Sequence, residues 1–221
     1  MKVQAAPGPV SYAFIVSGKV ELQFGKEEVG NVDAVADSIT SLIKRDIRVD
    51  YCALRKIMTV YPNFSDLVGV WRKGSAADIL TRGLFKLKGI KGGIEYADDW
   101  QSLMNMLKEG RVKSITISSA FGYGIPFEDI LVEHGIKMPA SCGISIINKN
   151  EEDGIVQAYR EGLDKMKEDP EGSAEKIVST LPIKIPKNFV LGIIKNAELT
   201  VEKLDDYSDF QRLVKEVLRE L

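Results

Sequence analysis

A chain of 221 residues with 44% hydrophobic content is long enough for one large domain or two modest lobes with real cores. Charged residues make up 28% and nearly cancel, leaving a net charge of −2, which argues against a basic surface that tracks a nucleic-acid backbone. Cys52 and Cys142 lie far apart and outside any CxxC spacing, so they read as buried free thiols, with no disulfide and no zinc site.

Met1 to Pro9 holds one lysine but no apolar run of roughly 7–15 residues before a cleavage site, so the chain as written reads as cytoplasmic. A leader removed ahead of Met1 would make it extracytoplasmic. No apolar stretch approaches the ~18–20 residues of a membrane span.

In chain order, Lys2 to Ala5 predicts a strand, and Ala6-Pro7-Gly8-Pro9 a turn that places Pro9 first in a helix through Ser17. Val20 to Phe24 and Val32 to Ala36 read as strands, followed by a helix from Thr40 to Arg45. Arg48 to Val60 is rich in β-formers and reads as one extended run, broken at Tyr61-Pro62-Asn63. Leu67 to Trp71 is the next strand, and Ser75 caps a helix to about Lys88. Ile94 to Tyr96 is a short strand, after which Asp98 or Asp99 caps a helix to Lys108 with Trp100, Leu103, Met104 and Leu107 on one face. Pro126 to His134 is a short helix and Ser141 to Ile147 an apolar strand. The remainder reads as helical: a helix ended by Asp169-Pro170, then Glu171 to Ser179 and Lys187 to Lys195. A last amphipathic helix begins at Thr200 or Asp205, with Phe210, Leu213, Val214, Val217 and Leu218 inward.

Two segments look like copies of one element, Gly30 to Ser38 and Gly110 to Ser119. Each starts at glycine, runs through a strand, and stops at small hydroxylated or acidic residues. In open α/β sheets ligands gather outside the carboxyl ends of strands. Two such loops therefore suggest two similar lobes facing each other across a cleft.

The element order, with Ala6-Pro7-Gly8-Pro9, Val32 to Ser38, Val68 to Ser75, Gly110-Arg111-Val112 and Ser118-Ser119, resembles the type II periplasmic-binding-protein-like superfamily over nearly the whole chain. Its nearest flavour is that of the solute-binding lipoproteins. The resemblance implies a two-lobed α/β fold with an interlobe cleft and C-terminal helices. Residues 1–66 plus 143–221 would form the first lobe, and 67–142 the inserted second. It also implies a protein that closes on a small polar or anionic solute and leaves open a transporter or homo-oligomer partner. With one His and two distant Cys, no metal is expected, and no cofactor.

The residues expected at the cleft are Pro7, Gly8 and Ser11 after the first strand, Asp37, Ser38 and Thr40 after the first repeat, Gly74, Ser75 and Ala76 at a helix start, and Ser118, Ser119 and Tyr123 after the second repeat. A helix N-terminus offers unpaired N–H groups to an anion, although Ser75 also serves as an ordinary cap. Ionised Asp37 accepts only, so it should face a hydroxyl or ammonium.

The single histidine, His134, suits a helix end better than catalysis. Asn63-Phe64-Ser65 fits a glycosylation sequon, and no GxxxxGK[ST] loop occurs. The alternative to a binding protein is an enzyme on the same scaffold, chorismate-dehydratase-like or pyrimidine-synthase-like, in which Asp37 would be the acid–base group. A third reading is the effector-binding half of a regulator, which here lacks a helix-turn-helix.

Overall fold

The protein is described from a computed structural model that covers residues 1–25 and 29–221. Lys2–Ala5 forms β1, and α1 (Pro9–Ser17) starts at Pro9, whose missing N–H is no loss at a first helical position. Gly18, left-handed at φ 68°, ends that helix. β2 (Glu21–Phe24) and β3 (Ala34–Ser38) follow, and the Ser38 hydroxyl accepts from Ser41 N to cap α2 (Ile39–Lys44). Next come β4 (Tyr51–Arg55) and β5 (Met58–Tyr61). β6 (Leu67–Trp71), α3 (Ala76–Lys88), β7 (Gly93–Ala97), α4 (Trp100–Lys108) and β8 (Ser114–Ser118) alternate regularly. A short β9 (Ile125–Pro126), α5 (Phe127–Glu133) and β10 (Cys142–Ile146) lead to α6 (Glu152–Glu168), α7 (Pro170–Thr180), α8 (Lys187–Asn196), β11 (Glu198–Lys203) and α9 (Ser208–Arg219).

These strands form two sheets, one in the order β11-β4-β10-β3-β1-β2 and the other in the order β7-β6-β8-β5-β9. The orders match around an equivalent centre. β1 runs parallel to β2 and β3, as β6 runs parallel to β7 and β8. An antiparallel strand, β10 or β5, then lies beside β3 or β8. The two repeat segments thus supply the same strand in each sheet.

Hydrophobic burial explains which helix lies where. α1, α6, α7 and α8 close one face of the first sheet through Tyr12, Phe14, Tyr159, Val190 and Ile193. Phe14 and Tyr159 meet edge to face with centroids 4.8 Å apart, an arrangement favoured by the ring quadrupoles. A second core joins the sheets, mixing Val35, Ile39 and Leu42 with Val60, Leu84, Phe127 and Phe210. Fully burying a side chain such as Phe210 contributes about 1.5–3 kcal/mol. On the second sheet α3 covers Val68 and Val70, whereas α4 lays Leu103 and Met106 on Ile115 and Ile117. Alternation along a strand requires such opposite faces.

Three expectations are corrected. The run Arg48 to Val60 is two strands in different sheets, because the chain turns at Leu54 and Lys56, left-handed at φ 58° and 60°. The chain therefore enters the second sheet at β5, ahead of residue 67. Glu198–Lys203 is an edge strand on β4, paired by Val201 with Ala53, so the last helix begins at Ser208 and not at Thr200 or Asp205. Asp37 and Ser38, expected just beyond the first repeat strand, are its last two residues.

Cys142 lies opposite Ala53 and Cys52 opposite Gly143. Directly opposed residues share a face and successive ones alternate, so the two thiols point to opposite sides of the sheet. Both are free. Burial pushes both thiols up from their ordinary range, which keeps them protonated and unreactive.

Candidate functional site

The chain passes between the sheets twice, at Leu54–Ile57 and at Pro139–Ser141, and these crossovers are bonded to each other. Ser141 N donates to Leu54 O at 3.0 Å, Ile57 N donates to Ser141 Oγ at 3.1 Å, and Arg55 Nε donates to Pro139 O at 2.9 Å. The ends of both repeat strands attach to this junction. Ile39 N donates to Ser141 O at 3.1 Å, and Ser119 N donates to Ile57 O at 2.8 Å. β3 and β8 belong to different sheets, yet their carboxyl ends meet at one place.

The parallel neighbours bring two more loops to that edge. Ala6 N donates to Ala36 O at 3.0 Å, so the turn through Pro7 and Gly8 starts beside the end of β3. β6 runs in register with β8, Val68 opposite Ser114, which carries the Gly74-Ser75-Ala76 loop to the Ser118 end. Ser38 and Ser118 end their strands on this edge, and Ser11, Thr40 and Ser119 follow theirs. Tyr123 does not join them. Its ring lies on Tyr61 at 4.8 Å and its hydroxyl contacts Met104 Sδ at 3.7 Å, on the α4 face.

The local chemistry separates groups already satisfied from groups left over. Asp37 is turned into the protein: Oδ1 accepts from Ser38 N at 2.7 Å, and Oδ2 accepts from Ser41 Oγ at 2.7 Å and Arg45 Nη2 at 3.1 Å. Its side chain is 5% exposed, so it orders α2 and faces no open space. Ser11 Oγ donates to Gly8 O, and Ser118 Oγ accepts from Ala120 N. Ser75 Oγ accepts from Asp78 N as the cap of α3.

Asp78 was not foreseen and changes the reading of that helix start. Its carboxylate accepts from Gly74 N at 2.7 Å, from Arg82 Nε at 2.9 Å and from Tyr96 Oη at 3.0 Å. The protein's own anion thus occupies the N-terminus of α3. At α1 the situation is reversed. Gly8 caps it without a side-chain bond, and a Cβ there would meet nothing within 4 Å. Ser119 Oγ is buried and unpartnered among the described residues, as is the hydroxyl of Tyr12 on α1.

Glu128 of α5 clasps the crossovers. Its Oε1 accepts from Ser141 Oγ at 2.6 Å and from Lys56 N at 2.8 Å, while Oε2 is buried with no partner among the described residues. Burial pushes this carboxyl above the ordinary glutamate range, partly offset by the Ser141 and Lys56 hydrogen bonds. Arg55 adds ties to Glu198 at 2.9 Å and Glu202 at 2.7 Å. No sequence signal marks Ser141 or Glu128, which meet their partners through tertiary structure. Asp78, in contrast, sits at i+4 from Gly74 and i−4 from Arg82, a local spacing at a helix start that could have flagged it. At the outer edge of the junction α8 rests on the turn after β8: a Cβ on Gly192 would lie 2.1 Å from Ala120 O. Phe189 meets Phe121 there with centroids 5.9 Å apart. Among the described residues no cluster of His, Cys, Asp or Glu is arranged to hold a metal.

Two linked α/β halves with polar strand ends at paired crossovers define the periplasmic-binding-protein fold, and solved structures bear this out. A Thermoplasma volcanium protein provisionally assigned to nitrate transport matches with a TM-score of 0.78 at 23% identity, covering 100% of this chain and 93% of its own. The periplasmic aliphatic sulphonate binding protein of Escherichia coli matches at 0.67 and 11% identity, covering 100% and 91%. An ABC transporter protein of Parabacteroides distasonis matches at 0.66 and 13%, covering 98% and 92%. At these identities the likeness is one of fold. The chain belongs to DUF3834, a family described as proteins of unknown function, whose model matches residues 1–200. No curated protein matches it. No helix among the described residues is long and apolar enough to cross a membrane.

Proposed function

We propose that the protein binds a small polar or anionic solute between two lobes, divided as the resemblance implies but with the first boundary drawn back from residue 66 to the crossover at Lys56. The observation that carries this reading is the meeting of the β3 and β8 ends at the Ile57–Ser141 junction, beside the unpartnered hydroxyl of Ser119. An anionic group of the solute belongs at the start of α1, around Gly8, because the start of α3 already holds Asp78. Ser119 and the Ser38–Thr40 segment supply hydrogen bonds to its polar body, and Gly74 to Ala76 line the second side. Asp37 acts indirectly, by fixing α2. The solute-binding proteins among the structural neighbours support a binding role.

The test is a thermal-shift series with nitrate, acetate, methanesulfonate, glycine and an uncharged amide, each at 10 to 100 times the concentration expected for half-saturation. A solute at 100 times its Kd raises folding stability by about 2.7 kcal/mol. Anions are expected to stabilise more than the amide, with the gain reduced in Ser119→Ala but retained in Ser75→Ala. Equal stabilisation by all five, or none by any, overturns the proposal.

A further inference from the structure

We propose that the α4 face of the second sheet carries a separate pocket for a small aromatic carboxylate. The cavity there measures about 260 Å³ and is lined by Trp100, Gln101, Met104 and Lys108 of α4, Ile117 of β8, and Phe121 and Tyr123 of the loop beyond. Trp100, Met104 and Lys108 are four residues apart, so they form one stripe along the helix. Buried Ile117 is the floor. The cavity lies on the face of the sheet opposite α3.

Three of the lining residues are rings, Trp100 and Phe121 6.1 Å apart and Phe121 and Tyr123 6.4 Å. They are backed by Trp71, 5.5 Å from Trp100, and Tyr61, 4.8 Å from Tyr123. Rings so well supplied with partners are usually interior. Here Phe121 remains 40% exposed and Tyr123 38%. A concave, exposed aromatic surface is the signature of a recognition site more than of a solvated face. Met104, whose sulfur contacts Tyr123 Oη, is a polarizable wall that adapts to a ring.

The one cation among the lining residues is Lys108, which has no carboxylate partner among the described residues. A flat apolar body therefore has rings to lie on, and a carboxylate attached to it has a cation within the same lining. The volume is just below the ~300–1,000 Å³ of pockets for drug-sized ligands, so the occupant is a single-ring compound. A docked protein segment would need a longer groove, and a second copy of this chain would set two rims of the same charge together.

Of the chain's two tryptophans, Trp100 lines the pocket and Trp71 lies 5.5 Å from Trp100, so the indoles supply the readout. The probe is p-toluate, compared with p-toluamide, which has the same body without the charge, by following the two indole N–H resonances during titration. The p-toluate titration should saturate and bind about two- to five-fold tighter than p-toluamide, the range of an exposed ion pair. Lys108→Gln, a surface change, should abolish that preference. Phe121→Ser should weaken both compounds by about three- to ten-fold. Ser119→Ala should change neither, which separates this pocket from the cleft of the proposed function. Four results overturn the proposal: no saturable shift, equal binding of the two compounds by the unmodified protein, p-toluate binding unaltered by Lys108→Gln and Phe121→Ser together, or indole shifts that follow protein concentration alone, which would assign the face to self-association.

Discussion

The two sheets are built to one plan, and their polar edges are used differently. Around β3, the first half closes its acid inward: Asp37 is held by Ser41 and Arg45, while the neighbouring start of α1 is left without a side-chain cap. In the second half the acid has moved to the helix start itself, where Asp78 satisfies Gly74 and is held by Arg82 and Tyr96. The second half leaves the Ser119 hydroxyl without a partner among the described residues directly after its strand end, whereas the unpartnered hydroxyls of the first half belong to Tyr12 and Tyr159, on helices. Equivalent strands therefore do not imply equivalent contacts. One half offers uncapped backbone donors and the other a buried hydroxyl, an arrangement suited to a ligand with distinct ends.

The largest effects should come from the two internal acids. Asp37→Ala leaves the partly buried Arg45, 17% exposed, with no carboxylate, its Nε and Nη1 already lacking partners among the described residues, and should cost about 3–5 kcal/mol in urea unfolding. Asp78→Ala should cost less, about 2–3 kcal/mol, because Arg82 remains a third exposed and recovers water. Equal costs would erase the distinction between the halves.

Next are two glycines at close backbone approaches. A Cβ on Gly162 would lie 1.9 Å from Ala13 O within the first half, and one on Gly192 would lie 2.1 Å from Ala120 O across the halves. Each alanine variant should lose about 1–3 kcal/mol. Only Gly192→Ala should also enlarge the radius of gyration in X-ray scattering, since only there does the strain act between the sheets. A smaller pair of effects separates the serines. Ser75→Ala should lose about 1 kcal/mol of folding stability through its cap. Ser119→Ala should lose none, since its hydroxyl has no bond to lose.

The smallest effect is a slope with pH. Because the folded Glu128 carboxyl is raised, the stability it contributes is full below the ordinary glutamate range. That stability is lost as pH rises from there through the raised folded value. Glu128→Gln keeps the Oε1 acceptor and should flatten this part of the urea midpoint profile measured from about pH 4 to about pH 8. An unchanged slope would show that the clasp does not titrate.

Much of the architecture was written locally. Pro9 and Ser75 announce helix starts, and the glycine-to-serine repeats announce β3 and β8, because caps and β-branched runs are short-range properties. The break between β4 and β5 was not legible: Arg55-Lys56 contains no glycine or proline, and the left-handed residues there are Leu54 and Lys56, held by partners more than seventy residues away. β11 reads as Glu-Leu-Thr-Val-Glu-Lys, a pattern as suitable for a helix start as for an exposed edge strand. At the site, the candidate loops could be listed from the repeat pattern, but the fate of Asp37 depended on Arg45 reaching back along α2. Tyr123 was read as a cleft residue because it follows the second repeat, and the turn at Ser119–Phe121 carries it to the other face of the sheet.

The last helix bears on how such a molecule moves. α9 touches the far ends of α2 and α3, one from each half: Lys215 binds Asp46 at 2.6 Å, Tyr207 accepts from Val49 N at 3.1 Å, Leu213 sits against Gly83, and Lys86 binds Glu220 at 2.6 Å. A helix fastened to both halves behind the junction acts as a fulcrum. Any gaping of the cleft must drag α3 across Leu213, so travel takes the form of sliding contact and its amplitude is set by how far one side chain can slip past a glycine.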